Sequence, residues 1–169
     1  MSDHSHAAEE LQRLRDTDLS EAQLIAMGEV SVWAARLERM LALVVANLIS
    51  KQSDAAVLVT NGLPFARLCD LGRQLSALRP DAHEVRREFE RLDRLMRSAM
   101  ERRNEVLHSD WSPREGGRAL ATFTRSRRTT RREISVEEVQ GVANDLAVLA
   151  GDLLWLYVET VAPDDSTIG

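Results

Sequence analysis

A single cysteine in 169 residues removes two explanations of the fold at the outset. Cys69 has no second thiol for an internal disulfide, and no thiolate cluster for zinc or iron–sulfur can be built around it, so the chain reads as suited to a reducing compartment. Aromatic residues are also scarce, at 4%, which leaves aliphatic side chains to fill the interior. Lysine is almost missing, with Lys51 alone against 21 arginines. Long hydrophobic runs are missing as well. The longest, "MLALVVANLI" (40–49), is about half of the roughly 20 residues that a bilayer span requires. The opening "MSDHSHAAEE" is polar and acidic, unlike a signal peptide. Together these absences lead to the expectation of a cytoplasmic protein with no membrane segment.

What the chain does contain is ordinary for one globular domain: 44% hydrophobic and 29% charged residues, enough to bury a real core. The net charge of −5 argues against indiscriminate nucleic-acid binding. It is unevenly spread, however. Residues 113–134 hold seven arginines against Glu115 and Glu133, a net +5, so the remainder of the chain carries −10. A local basic patch on an acidic body can concentrate a polyanion; a solvated loop in an arginine-rich protein would look the same.

Helical periodicity dominates. Residues 1–19 are polar and read as a flexible or partly helical tail, with His4 and His6 as loose metal ligands at most. Ser20 with Gln23 forms a capping-box pattern, and a helix of about 30 residues runs from there to Ser50. Its second half is apolar nearly all round, which means burial from more than one side. "LPFARLCDLGRQLSAL" (63–78) reads as a short second helix with Pro64 near its first turn. The third, 81–108, carries a stripe at Val85, Phe89, Leu92, Met96 and Ala99. Residues 118–134 change character: Thr, Phe and Ile flank a polar tip, as in a surface hairpin. Ser135 with Glu138 opens a last helix, about 136–161, striped at Val142, Leu146, Leu149, Leu153 and Leu156. The expected fold is all-α: an antiparallel four-helix bundle with a short β-hairpin inserted before the last helix, spanning residues 20–162, with a C-terminal tail at 163–169.

The chemistry concentrates in "ERRNEVLHSDW" (101–111). Extending the third helix's stripe past Ala99 lands on Arg103 and then Val106, so a guanidinium occupies an apolar position and needs a carboxylate or a phosphate. The structural alternative is an internal ion pair with Glu29 or Glu38. Asn104 and His108 share a helical face, whereas Arg103 and His108 lie five apart, about 140° around an ideal helix. A working pair therefore calls for a groove shared between two copies. Histidine exchanges protons near neutral pH, and arginine grips phosphoryl oxygens. The two suffice, without a metal, for attack of an RNA 2′-hydroxyl on its own phosphate.

"RNEVLH" resembles the Arg-x4–6-His signature of the HEPN superfamily of four-helix-bundle domains. The motif ends the third helix, Trp111 follows, and "TNGLPFARLCDL" is similar to the second-helix region of such domains. What the resemblance implies is a homodimer whose two motifs line one cleft, with metal-independent endoribonuclease activity in many members, no cofactor, and Arg103 as phosphate ligand, His108 as acid/base and Asn104 as the polar residue beside the arginine. It also implies a toxin or defence setting, with an antitoxin or nucleotidyltransferase as a further partner. In one toxin branch a tyrosine two residues after the histidine is modified by such a transferase. Here that position is Asp110, so that mode of neutralisation loses its target.

Three other readings stand beside the nuclease. The first is a non-catalytic RNA- or nucleotide-binding module using Arg103 and the hairpin arginines Arg125, Arg127, Arg128, Arg131 and Arg132. The second is a diiron bundle, suggested by Glu105-x-x-His108 but short of the second such pair and the two further glutamates that site needs. The third is a structural helical dimer in which Asn104, His108 and Trp111 only finish a helix, Glu137 and Glu138 suit a helix start, and Trp33 and Trp155 belong to core or interface.

Overall fold

The computed structural model describes residues 19–51, 54–78, 83–114, 118–125 and 128–161. The N-terminal tail up to residue 18, with His4 and His6, and the C-terminal tail 163–169 lie outside the described residues. Among the described residues five helices and three strands follow in order: α1 (Glu21–Ile49), α2 (Asp54–Thr60), α3 (Phe65–Ala77), α4 (His83–Leu107), β1 (Asp110–Pro113), β2 (Ala119–Arg125), β3 (Arg128–Ile134) and α5 (Val136–Val161). The fold is predominantly helical with a small antiparallel sheet. Two elements exceed the sequence-based expectation. A seven-residue helix, α2, stands between the expected first and second helices, and a third strand, β1, joins the hairpin.

Both expected capping boxes set helix starts. Ser20 Oγ accepts from the Gln23 N–H at 3.3 Å while Gln23 Oε1 accepts from the Ser20 N–H at 2.8 Å. Ser135 and Glu138 repeat the arrangement ahead of α5, at 3.3 and 2.8 Å. Each box satisfies two N–H groups that a helix start otherwise leaves bare.

Chain direction follows from side-chain pairs. Arg91 meets Asp152 and Arg102 meets Asp145, so α4 and α5 run antiparallel. Asp70 meets Arg97, and a Cβ on Gly72 would fall on the Phe89 ring, so α3 and α4 are antiparallel too. Tyr157, near the end of α5, shares a small cleft with Ala46, Asn47 and Ser50 at the end of α1. The closely packed α1 and α5 therefore run in the same direction. The inserted α2 accounts for this: it reverses the chain once more than four helices would.

The core is aliphatic, as the scarcity of aromatics requires. Phe89, Leu37, Leu41, Leu92, Met96, Leu146, Leu153 and Leu156 are its largest fully buried side chains. Val44 to Leu48 are buried on every side of α1, where α5 and α2 cover it. The expected stripe of α5 is buried throughout. By length and composition this helix could also cross a bilayer, a property that core helices share with membrane spans. Leu78, the last residue of the expected second helix, is the C-cap of α3 and 77% exposed. Trp155 is 59% exposed on α5, so it is not a core residue of the single chain. Trp33 is partly buried against the core with the Arg36 guanidinium 4.6 Å over its ring.

The sheet has the order β1–β2–β3. Trp111 pairs with Ala121, and Phe123 with Thr130. Ala121 and Ile134 join the helical core, which fixes the root of the sheet against the end of α4.

Candidate functional site

The C-terminal turns of α4 place the motif. Phe89, Leu92, Met96, Ala99 and Val106 are buried, and Arg103 sits among them, half-buried. Its guanidinium donates through Nη1 to Asn104 Oδ1 at 2.9 Å. Its Nε is sealed from solvent and has no hydrogen-bond partner among the described residues. Neither Glu29 nor Glu38 supplies the expected internal ion pair; among the described residues no carboxylate comes within salt-bridge reach of Arg103. Its neighbour Arg102 behaves differently, reaching Asp145 at 2.8 Å on the α5 side. Of the two adjacent arginines, one ties helices together and the other keeps an unsatisfied donor, a cost of about 1–3 kcal/mol.

His108 is the first residue past α4. Its N–H donates to Asn104 O at 3.0 Å, a bond of helical type, so the backbone still turns helically there and the 140° divergence from Arg103 applies. The helix is finished by other groups. Ser109 Oγ donates to Glu105 O, and Trp111 Nε1 donates to Val106 O at 2.9 Å, satisfying carbonyls that a helix end leaves free. The His108 imidazole is exposed and takes no part in termination. Trp111 is thus a structural residue, while the side chains of Arg103, Asn104 and His108 do none of the capping work.

The hairpin arginines separate by position. Arg128, Arg131 and Arg132 are exposed on β3, Arg125 ends β2 opposite Arg128, and Arg127 lies outside the described residues. Arg118 approaches Glu133 at 3.4 Å. As for the diiron alternative, no three His, Cys, Asp or Glu side chains gather into a metal-binding set among the described residues, so Glu105 and His108 lack the further ligands that site requires.

Two features went unseen in the sequence. A cleft of about 750 Å³ opens between α1, α2 and the start of α3, lined by Glu38, Arg39, Thr60, Asn61 and apolar neighbours; none of the motif residues lines it. The second is a polar network at the α3/α4 contact. Asp93 is buried and accepts from Arg97 Nε at 2.8 Å, and Arg97 Nη2 donates to Asp70 at 2.8 Å. The fully buried Cys69 thiol bonds to Asp93 as well. Burial, then the Asp93 hydrogen bond and charge, push this thiol up from its ordinary 9.0 to about 12, so it stays protonated and unreactive at neutral pH. Only the position of Asp93 next to buried Leu92 hinted at this network.

No family model, no curated protein and no solved structure matches the chain.

Proposed function

We propose that the protein is a HEPN-like homodimer that cleaves RNA without a metal, through Arg103, Asn104 and His108. In this reading α1, α3, α4 and α5 are the four helices of the bundle, and α2 is a short addition between the first two. The observation that carries it is the pairing of opposites at the end of α4: a guanidinium on the inner stripe with an unpartnered Nε, and a histidine one turn later that is exposed and unused by the fold. A structural arginine at a core position would be expected to hold a carboxylate. Among the described residues this one holds only Asn104, which leaves its positive charge for an anion.

The chemistry follows from those groups. The imidazole of His108 removes the proton of a 2′-hydroxyl; the freed oxygen attacks the adjacent phosphorus, and the bond from phosphorus to the 5′-oxygen breaks. Arg103 stabilises the negative charge that builds on the phosphoryl oxygens. Asn104 holds the guanidinium in place through its Oδ1. A proton returned to the 5′-oxygen completes the step, leaving a 2′,3′-cyclic phosphate. Because the two side chains diverge around one helix, the imidazole of one copy works beside the guanidinium of another.

The test is cleavage of single-stranded RNA in the presence of EDTA. His108→Ala and Arg103→Ala each lower the rate by about 10²–10⁴-fold, while the His108→Ala protein keeps wild-type thermal stability. Cleavage that disappears with EDTA, or that survives both substitutions, overturns the reading.

A further inference from the structure

The register of the hairpin sorts its arginines in a way their spacing in the sequence does not. Directly paired residues of antiparallel strands project to the same face, and successive residues alternate. Phe123 pairs with Thr130 and Ala121 with Arg132. One face therefore carries Ala121, Phe123, Arg128, Thr130 and Arg132. The other carries Thr122, Thr124, Thr129, Arg131 and Glu133.

The two faces differ in how far their polar groups are already satisfied. On the second, Thr124 and Thr129 bond to each other through their hydroxyls at 3.1 Å, and Glu133 draws Arg118 to 3.4 Å. On the first, Arg128 and Arg132 are exposed and, among the described residues, neither has an acidic partner. Between them lies Phe123, half-buried, two residues beyond Ala121, which belongs to the core. The ring stands where the sheet leaves the helical body. β3 is an edge strand of the sheet; the root of this face, at Ala119, Ala121 and Ile134, is buried, and beyond it β3 is exposed from Arg128 to Glu133.

We infer that this face is a platform for single-stranded nucleic acid: Phe123 stacks on an unpaired base, and Arg128 and Arg132 hold the flanking phosphates. Two guanidiniums four residues apart on a strand are separated by roughly 13 Å, with the aromatic ring between them on the neighbouring strand. Stacking needs a base with a free face, which a duplex does not offer. The inference rests on the reading of the protein as one that acts on RNA, and it supplies the strand-holding surface that the compact Arg103–His108 motif lacks.

The experiment measures binding of a short labelled single-stranded RNA in the His108→Ala background, so that cleavage does not intervene. Arg128→Ala combined with Arg132→Ala lowers the slope of log affinity against log salt by about 1.4, the value for two lost phosphate contacts on a single strand. Arg131→Ala, on the opposite face, leaves that slope nearly unchanged. Phe123→Leu, which keeps an apolar side chain at the root of the sheet, weakens binding by about tenfold or more, whereas Phe123→Trp retains it. An abasic strand of equal length binds the wild type and Phe123→Leu alike. Equal losses from Arg131→Ala and Arg132→Ala would overturn the face assignment, and an unchanged affinity in Phe123→Leu would overturn the stacking. Absence of single-strand binding in a protein that still cleaves RNA rejects the platform alone. Binding with no cleavage by the wild type rejects the nuclease and keeps the platform.

Discussion

Arg97 and Arg103 sit six residues apart on α4, and the fold treats them in opposite ways. Arg97 faces α3 and bonds to Asp93 and Asp70, each at 2.8 Å. Asp93 in turn accepts a hydrogen bond from the Cys69 thiol. Every charge in that cluster meets an opposite charge or a donor. Arg103 faces inward one turn beyond Ala99, and its only hydrogen-bond partner among the described residues is the neutral amide of Asn104. The difference lies in the carboxylates within reach: Asp70 on α3 and Asp93 one turn earlier on α4 both bond to Arg97, whereas among the described residues none bonds to Arg103.

The largest effect belongs to the closed cluster. Asp93→Ala removes the acceptor shared by Arg97 and Cys69, leaving a guanidinium short of a partner at a helix contact. A fully buried pair broken in this way costs about 3–5 kcal/mol. Arg97 keeps 39% of its side chain in water, which moderates the loss to roughly 2–3 kcal/mol. Urea denaturation measures it, and a change below about 0.5 kcal/mol would show that the cluster contributes nothing to the helix contact.

The thiol gives the same cluster a pH signature. In the folded chain Cys69 holds its proton up to about pH 12, whereas in the unfolded chain it releases it near 9.0. The folded state is thus favoured fully below pH 9, and that advantage falls away as the pH climbs toward 12. Denaturation followed across the alkaline range shows stability declining from about pH 9 upward, and Cys69→Ala flattens the decline. A wild-type slope no steeper than that of the variant would mean that the thiol is solvated.

The two arginines also show where sequence reading reaches and where it stops. The displaced polar residue on the α4 stripe was legible, because a periodicity of 4 and 3 leads from Ala99 straight to Arg103. The capping boxes at Ser20 and Ser135 were legible too, since a cap is a local pattern of three residues. The partner of Arg103 was not: choosing between Glu29, Glu38 and Asn104 depends on how α1 lies on α4, which no spacing encodes. Strand β1 is four residues with a proline, too short for alternation, and it exists only because Ala119–Thr122 pairs with it. Helix α2 spans "DAAVLVT", a β-branched segment whose intrinsic preference leans away from helix and which is held by its contact with α1. The Cys69–Asp93 contact joins residues from two helices, and its one local trace was the place of Asp93 beside Leu92 on the stripe.

The smallest expected change in stability is the one that separates the two regions most cleanly. Arg103→Met places an apolar side chain on the stripe and removes the unsatisfied Nε. Methionine adapts to an irregular space, and relief of a buried bare donor is worth about 1 kcal/mol at the low end of its range. The variant is therefore expected to be more stable than the wild type by about that amount while losing the proposed RNA cleavage. Arg97→Met, at the paired site, lowers stability, because Asp93 and Asp70 lose their cation and Asp93 has little access to water. Thermal unfolding of the two variants side by side measures the opposite signs. If Arg103→Met were destabilised as strongly as Arg97→Met, Arg103 would be holding the fold together at the end of α4. Its charge would then be no more available to an incoming phosphate than that of Arg97.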